Sequence, residues 1–276
     1  MDATPSQPLH LTRRHRFAHT GRVDSWWLQP AATALGLALF FGYLTFRAFN
    51  GTHVWHEPYV SPTVAPPLFT PASGYAGSVP LDHAWLGAFP GWWPSFLPQS
   101  PALFFPTLAI AFRFTCYYYR GAGYKALAFS PPSCSVRGAS RTYRGETALL
   151  VFQNLHRYTL YAALFLLVCL WWEAGAAFFL GGRFGVGVGT AMVVINASLL
   201  SAYAFGCHSW RHLIGGRLDC FSCNGGASAE YRLWKGSSWL NERHMLFAWC
   251  SLVWVAFTDL YIYLLSTGRV SDLNTW

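Results

Sequence analysis

Apolar residues along this chain are concentrated in five long stretches, separated by polar or loop-forming segments. The stretches cover residues 26–46, 101–119, 159–180, 186–207 and 245–265. Each has about the 20 residues that an α-helix needs to cross the hydrocarbon core of a bilayer. The pattern predicts an all-α integral membrane protein built as a bundle of five transmembrane helices.

The second stretch differs from the others because it contains Pro106 and Arg113. The proline predicts a kink, and the arginine predicts one charge that faces the bundle or reaches the headgroups. The first stretch is too long for the apolar part of a secretory signal, and no small-residue cleavage site follows it. We therefore expect it to remain as a helix in the plasma membrane.

Composition agrees with a membrane protein. Of the 276 residues, 53% are hydrophobic and 11% are charged, which is less than half the usual charged share of a soluble domain. Sixteen of the 19 Lys and Arg residues lie on one side if the stretches alternate in direction. The positive-inside rule makes that side the cytoplasm, with the N-terminus cytoplasmic and the C-terminus outside. The net charge of +8 then reflects topology and attraction to anionic membrane lipids, with no nucleic-acid partner.

The predicted topology divides the rest of the chain into tails and loops. The cytoplasmic segments are residues 1–25, 120–158 and 208–243, and the outer segments are residues 47–100 and 266–276. The outer loop is rich in Pro, Gly and Trp. We expect it to form an ordered cap with aromatic rings at the membrane interface.

Four predicted helices bring a cysteine or a histidine to the same depth. Cys116 and Cys207 end the second and fourth stretches, and His156 and His244 come just before the third and fifth. Since neighbouring helices run in opposite directions, all four lie at cytoplasmic ends. Thiolates and imidazoles bind zinc, haem and iron–sulfur clusters, and two of each is the set of a Rieske-type [2Fe–2S] centre.

Other residues compete for the same role. His208 and His212 are four residues apart, so a helix would place both on one face. Cys220 and Cys223 form a single CxxC in the following loop, which is a weak metal signal without a second pair. Cys169 and Cys250 lie inside predicted helices and are interpreted as core residues.

Aromatic and polar side chains gather at the same cytoplasmic end. Aromatic walls with one or two polar groups are typical of a pocket for a planar ring such as a quinone, while an interfacial aromatic belt is the alternative. The candidate quinone-binding residues are Ser25, Trp26, Trp27, Tyr119, Arg120 and His212.

Three polar residues lie inside predicted helices, towards the outer half. Glu173, Asn196 and Asp259 are either part of a proton path or a buried hydrogen-bonded cluster. The second interpretation is slightly favoured.

Several runs of sequence together resemble the membrane-anchor subunit of the actinobacterial type of succinate dehydrogenase. In that family a flavoprotein oxidises succinate, an iron–sulfur subunit relays electrons, and a five-helix anchor reduces quinone. The resemblance implies these partners, quinone (menaquinone) as substrate, and a Rieske-type [2Fe–2S] cluster in place of haem. It also implies Cys116 and Cys207 as thiolate ligands, with His156 and His244 as imidazole ligands. The runs are residues 113–120, 153–158, 207–216, 241–245 and 257–261.

Two other classes of function stay open at this point. One is a membrane anchor with a single haem b, held by His156 with His212 or His244, in a different oxidoreductase. The other is a non-redox membrane protein whose Cys and His residues bind zinc or nothing. We find no dinucleotide fingerprint and no cysteine array, so a redox role needs partner subunits, which would dock on residues 121–155 and 213–242. The sequence leaves a higher oligomer possible.

Overall fold

The computed structural model describes the chain except for residues 1–24, 26, 73–74, 128–147, 217–218, 221–222 and 224–227. Its described part is mostly helical. The helices are α1 Leu28–Asn50, α2 Phe105–Thr115, α3 Tyr117–Leu127, α4 Leu149–Ala176, α5 Val188–Phe205, α6 His208–Gly215, α7 Ala229–Glu242 and α8 His244–Ser266. Two short antiparallel hairpins accompany them: β1 Trp55–His56 with β2 Tyr59–Val60, and β3 Phe179–Leu180 with β4 Arg183–Phe184.

Four helices, α1, α4, α5 and α8, are long and apolar enough to cross a membrane. The second apolar stretch was predicted as one continuous helix, but the structure divides it. It consists of a 3₁₀ turn at Pro101–Leu103 followed by α2, which has only 11 residues. Pro106 lies in the first turn of α2, where its missing N–H has no helical partner to lose. The proline therefore lies at the start of this helix, and the stretch is interrupted just before Pro106 instead of being kinked within one long helix.

The long helices pack around a shared core. Helix α5 lies between α4 and α8, α2 packs on α4, and α1 contacts α3 and α8. Buried side chains such as Phe40, Leu160, Tyr203 and Leu252 fill the centre. Large apolar side chains on the outward faces of α1, α4 and α8 are exposed, as expected for surfaces that contact lipid.

The segment between α1 and α2 folds as an ordered cap with its own small core. Val54, Val64 and Val79 are buried together, and β1 packs against α8 while β2 contacts α4 and α5. Gly77 fixes the cap to the end of α8, because it has φ +61° and a Cβ there would lie 2.2 Å from the Ser266 hydroxyl. Only glycine fits such a position.

A buried ion pair lies beneath the cap. Arg47 of α1 donates from Nε to Asp259 of α8 at 2.7 Å, and both side chains are almost fully buried. Asn196 and Glu173 make no hydrogen bond to Asp259 within the described part of the chain, so the three residues form no continuous hydrogen-bonded path there. The pair supports a structural interpretation of Asp259. Asp259 also accepts hydrogen bonds from the hydroxyls of Tyr43, Ser61 and Thr63. Arg47 also donates to the carbonyls of Thr52 and His53.

Candidate metal centre and the adjoining groove

Both predicted cysteine ligands lie at breaks between two helices. Cys116 separates α2 from α3 with extended backbone (φ −66°, ψ 125°), and Cys207 precedes α6 in the same way (φ −68°, ψ 143°). Cys207 is the N-cap of α6, where the N–H groups of the first turn point outwards. The Cys207 sulfur accepts from the N–H of Ser209 at 3.3 Å. This hydrogen bond favours a negative charge on the sulfur, whereas the nearly complete burial of Cys207 opposes it.

The two histidines approach from neighbouring helices. His156 lies in the second turn of α4, and its Nε2 is 3.0 Å from the Cys207 sulfur. His244 begins α8, and its Nε2 is 3.7 Å from the Cys116 sulfur. All four side chains line one cavity of about 270 Å³. The structure thus brings together the four residues predicted as metal ligands.

Aromatic rings hold both imidazoles in place. His156 stacks on Phe112 with ring centroids 4.6 Å apart, and its Nδ1 is 2.9 Å from the Thr115 hydroxyl. His244 stacks on Tyr203 at 4.8 Å, and its buried Nδ1 has no hydrogen-bond partner within the described residues. Each Nε2 faces the cavity while Nδ1 turns towards the protein. For His156 this is the orientation of a metal-ligating histidine, whose other nitrogen is fixed by a neighbour.

Among the described residues, the donors do not converge on a single point. A structural zinc ion needs four donors around one point, but no three His, Cys, Asp or Glu side chains of the described residues could hold one ion. The donors form two pairs instead. In a Rieske-type centre both thiolates bind one iron and both imidazoles the other. Here each thiol contacts an imidazole, so binding requires the side chains to rotate within the cavity.

The competing histidines lie at the rim of the same cavity. His208 and His212 occupy one face of α6, with their Nε2 atoms 3.1 Å apart. The pKa of His208 is lowered, mainly by partial burial and then by the positive charge of His212 and Arg211. This favours a neutral imidazole. Both residues still have a large part of their surface exposed, and their rings contact each other instead of a thiol.

The CxxC motif is separate from the cavity. Cys220 and Cys223 are joined by a disulfide, and neither lines the cavity. We expect replacement of both by Ser to leave bound iron unchanged, because neither residue lines the cavity. Iron analysis of the purified protein checks this, with Cys207→Ser as the matched control that loses iron. Iron loss in the CxxC variant would contradict the choice of Cys116 and Cys207.

Several residues of the site were not predicted from the sequence. Thr115 positions His156, while Phe112 and Tyr203 pack on the imidazoles. Thr115 could have been found, because it directly precedes Cys116. The two aromatic residues have no such signal, since a ring in a membrane helix is equally consistent with core packing.

The residues predicted to bind quinone do not form one pocket. Tyr119 and Arg120 are buried in the bundle. Tyr119 donates to the carbonyl of Ala248 at 2.6 Å, and Arg120 donates to the carbonyl of Thr115 at the break between α2 and α3. Of the remaining four, Ser25 and Trp27 are exposed before α1, His212 lies at the cavity rim, and Trp26 lies outside the described residues.

A larger groove of about 790 Å³ adjoins the metal cavity, between α1, α3 and the start of α8. Tyr117 and Tyr118 line both the groove and the cavity. The Tyr118 hydroxyl accepts from the indole N–H of Trp249 at 2.8 Å. Gln29, Thr33 and Lys125 add polar groups to its aromatic walls, a composition typical of small-molecule pockets.

Together these features define an integral membrane helical bundle with a buried thiol–imidazole cavity at one end. The family described as actinobacterial succinate dehydrogenase subunit SdhC matches residues 28–268, and the chain belongs to this family. It is a membrane-anchor subunit of succinate dehydrogenase.

A solved structure shows the same fold. The chain is similar to one chain of the Mycobacterium smegmatis Sdh1 complex in the apo form, with a TM-score of 0.79 and 36% sequence identity. The match covers 98% of this chain and 99% of that chain. No curated protein matches the sequence.

Proposed function

We propose that this anchor passes electrons to quinone bound in the groove, from a Rieske-type [2Fe–2S] cluster held in the adjoining cavity. The observation that supports the proposal is that Tyr117 and Tyr118 line both the cavity and the groove. An electron leaving the cavity would therefore cross no more than one layer of side chains to reach the ring of a bound quinone.

Four residues would hold the cluster, with Cys116 and Cys207 on one iron and His156 and His244 on the other. Such a cluster has a higher reduction potential than an all-cysteine cluster, which suits electron transfer to quinone. Other residues of the chain would orient the imidazole ligands and shield the cluster from water. Thr115 fixes the His156 ring, and the aromatic stacks on both imidazoles exclude water from the buried side of the cavity.

The remaining parts of the reaction belong to partner subunits. We propose that a flavoprotein oxidises succinate and that an iron–sulfur subunit brings the electrons to the end of the bundle that holds Cys116 and Cys207. The distribution of Lys and Arg supports a cytoplasmic position for that end. The 3₁₀ turn and α2 would then serve as a short fifth crossing, and menaquinone would be the quinone.

The alternatives are less well supported by the geometry. A haem would have to fit between two imidazoles, but the cavity of about 270 Å³ is below the roughly 300–1,000 Å³ of ordinary ligand pockets. Both imidazoles also face a thiol. A single zinc ion lacks a third convergent donor within the described residues.

Filling the groove should block quinone without disturbing the metal. Ala122 lines the groove but not the cavity. We expect Ala122→Trp to raise the KM for quinone at least about tenfold, equivalent to roughly 1.4 kcal/mol of lost binding. Steady-state quinone reduction by the purified complex measures this, and the paramagnetic signal of the cluster should stay unchanged.

The matched control is Ala38→Trp, on an exposed part of α1 outside the groove. It should leave the KM unaltered. An unchanged KM in Ala122→Trp would contradict quinone binding in the groove. Trp27, Arg120 and His212 would then be the candidate quinone-binding residues.

A further inference from the structure

A buried arginine that has no acidic partner among the described residues lies one aromatic ring away from the proposed metal centre. Arg113 of α2 is buried, and it donates to the hydroxyl of Tyr119, to the carbonyl of Ala248 at 3.1 Å and to the hydroxyl of Ser251 at 2.8 Å. All of these acceptors are neutral, and no carboxylate of the described residues pairs with Arg113. Arg47, by contrast, is paired with a carboxylate.

An unpaired cation is costly inside a membrane bundle, because no nearby charge compensates for its lost hydration. Hydrogen bonds to neutral groups satisfy the donors of the guanidinium but do not balance its charge. The structure therefore contains a positive charge that is best compensated by a negative charge at a neighbouring site.

The neighbouring site is the cavity. The carbonyl of Arg113 accepts from the N–H of Cys116 at 3.1 Å. Its guanidinium carbon lies 4.8 Å from the ring centroid of Tyr203, which also stacks on His244. Arg113 thus contacts the backbone of one proposed ligand and the ring that packs on another.

We propose that Arg113 is a positioning residue that stabilises the reduced state of the metal centre through its charge. This inference rests on the proposed cofactor. A [2Fe–2S] cluster with two thiolates and two neutral imidazoles has no net charge when oxidised, and it gains one negative charge when it takes up one electron from a reductant. Charges interact strongly in this poorly hydrated environment, so the cation favours uptake of the electron.

The test is a redox titration of the purified complex with dithionite and mediators, followed by electron paramagnetic resonance. Arg113→Gln removes the charge and should lower the reduction equilibrium constant at least tenfold, which is about 59 mV for one electron. Arg113→Lys keeps the charge, so it should stay within about threefold of the wild type. The matched control Ser251→Ala removes one hydrogen-bond partner without changing a charge, and it should also stay within about threefold.

A second variant keeps Arg113 in place in case Arg113→Gln does not assemble. Ser251→Asp puts a carboxylate next to the guanidinium and should lower the equilibrium constant by a similar factor. An unchanged potential in Arg113→Gln and in Ser251→Asp overturns the role of Arg113 but leaves the cofactor standing. Equal losses in Arg113→Lys and Arg113→Gln would mean that hydrogen bonding matters and not charge. A wild-type complex without any cluster signal overturns the cofactor and this inference together.

Discussion

Replacing His156 and His244 together with Ala is expected to abolish the cluster signal and quinone reduction while leaving succinate oxidation by a soluble artificial acceptor. The loss should exceed about 100-fold, because removing even a residue that only supports a ligand costs about 10- to 100-fold in metal affinity or activity. Succinate oxidation should persist because the flavin is expected on a partner subunit. Parallel assays with quinone and with the artificial acceptor separate the two activities.

The matched control changes the pair at the cavity rim. His208→Ala with His212→Ala should keep the cluster signal, since both residues have a large part of their surface exposed and their rings contact each other. If quinone reduction survives in a fully assembled His156 and His244 double variant, the ligands would have to be sought at His208 and His212.

Asp259→Ala is expected to destabilise the protein by roughly 3–5 kcal/mol, the usual cost of leaving one member of a buried ion pair without its partner. Arg47 would remain buried, with the carbonyls of Thr52 and His53 as its neutral acceptors. The midpoint temperature of thermal unfolding measures the effect. Glu173→Ala is the control and should cost much less, because Glu173 is only half-buried and has no ion pair within the described part of the chain.

The same variant distinguishes the two interpretations of Asp259. If Asp259 has a structural role, Asp259→Ala lowers the stability of the protein. The reduction potential of the cluster then stays at the wild-type value in the protein that still assembles. Wild-type stability with slow quinone reduction would instead favour a proton path through Asp259.

The meeting of the four Cys and His side chains in one cavity could be predicted, because it depends on coarse features of the sequence. Successive apolar stretches cross the membrane in opposite directions. Counting the crossings therefore puts Cys116 and His244 at the same end of the bundle. Contact between them then follows from packing of the helices. The local breaks were not predictable: Gly206 gives a hint before Cys207, but the run Phe114–Thr115–Cys116–Tyr117 contains no helix breaker.

The residues that line the groove could not be predicted for a related reason. Successive residues in a helix point about 100° apart, so the direction of each tyrosine depends on where α3 begins. Because the break at Cys116 shifts that start, Tyr117 and Tyr118 line the groove while Tyr119 turns into the bundle. Sequence alone locates the aromatic end of the helix but not the face that each ring occupies.

The most direct test of the whole account is electron paramagnetic resonance, together with an absorption spectrum, on the purified complex after reduction. We predict a signal of low average g, typical of a Rieske-type centre, that disappears in Cys207→Ser and is unchanged when Cys220 and Cys223 are both replaced by Ser. A sharp haem α-band without that signal, or the absence of both, would contradict the assignment of Cys116, Cys207, His156 and His244 as ligands of a [2Fe–2S] cluster.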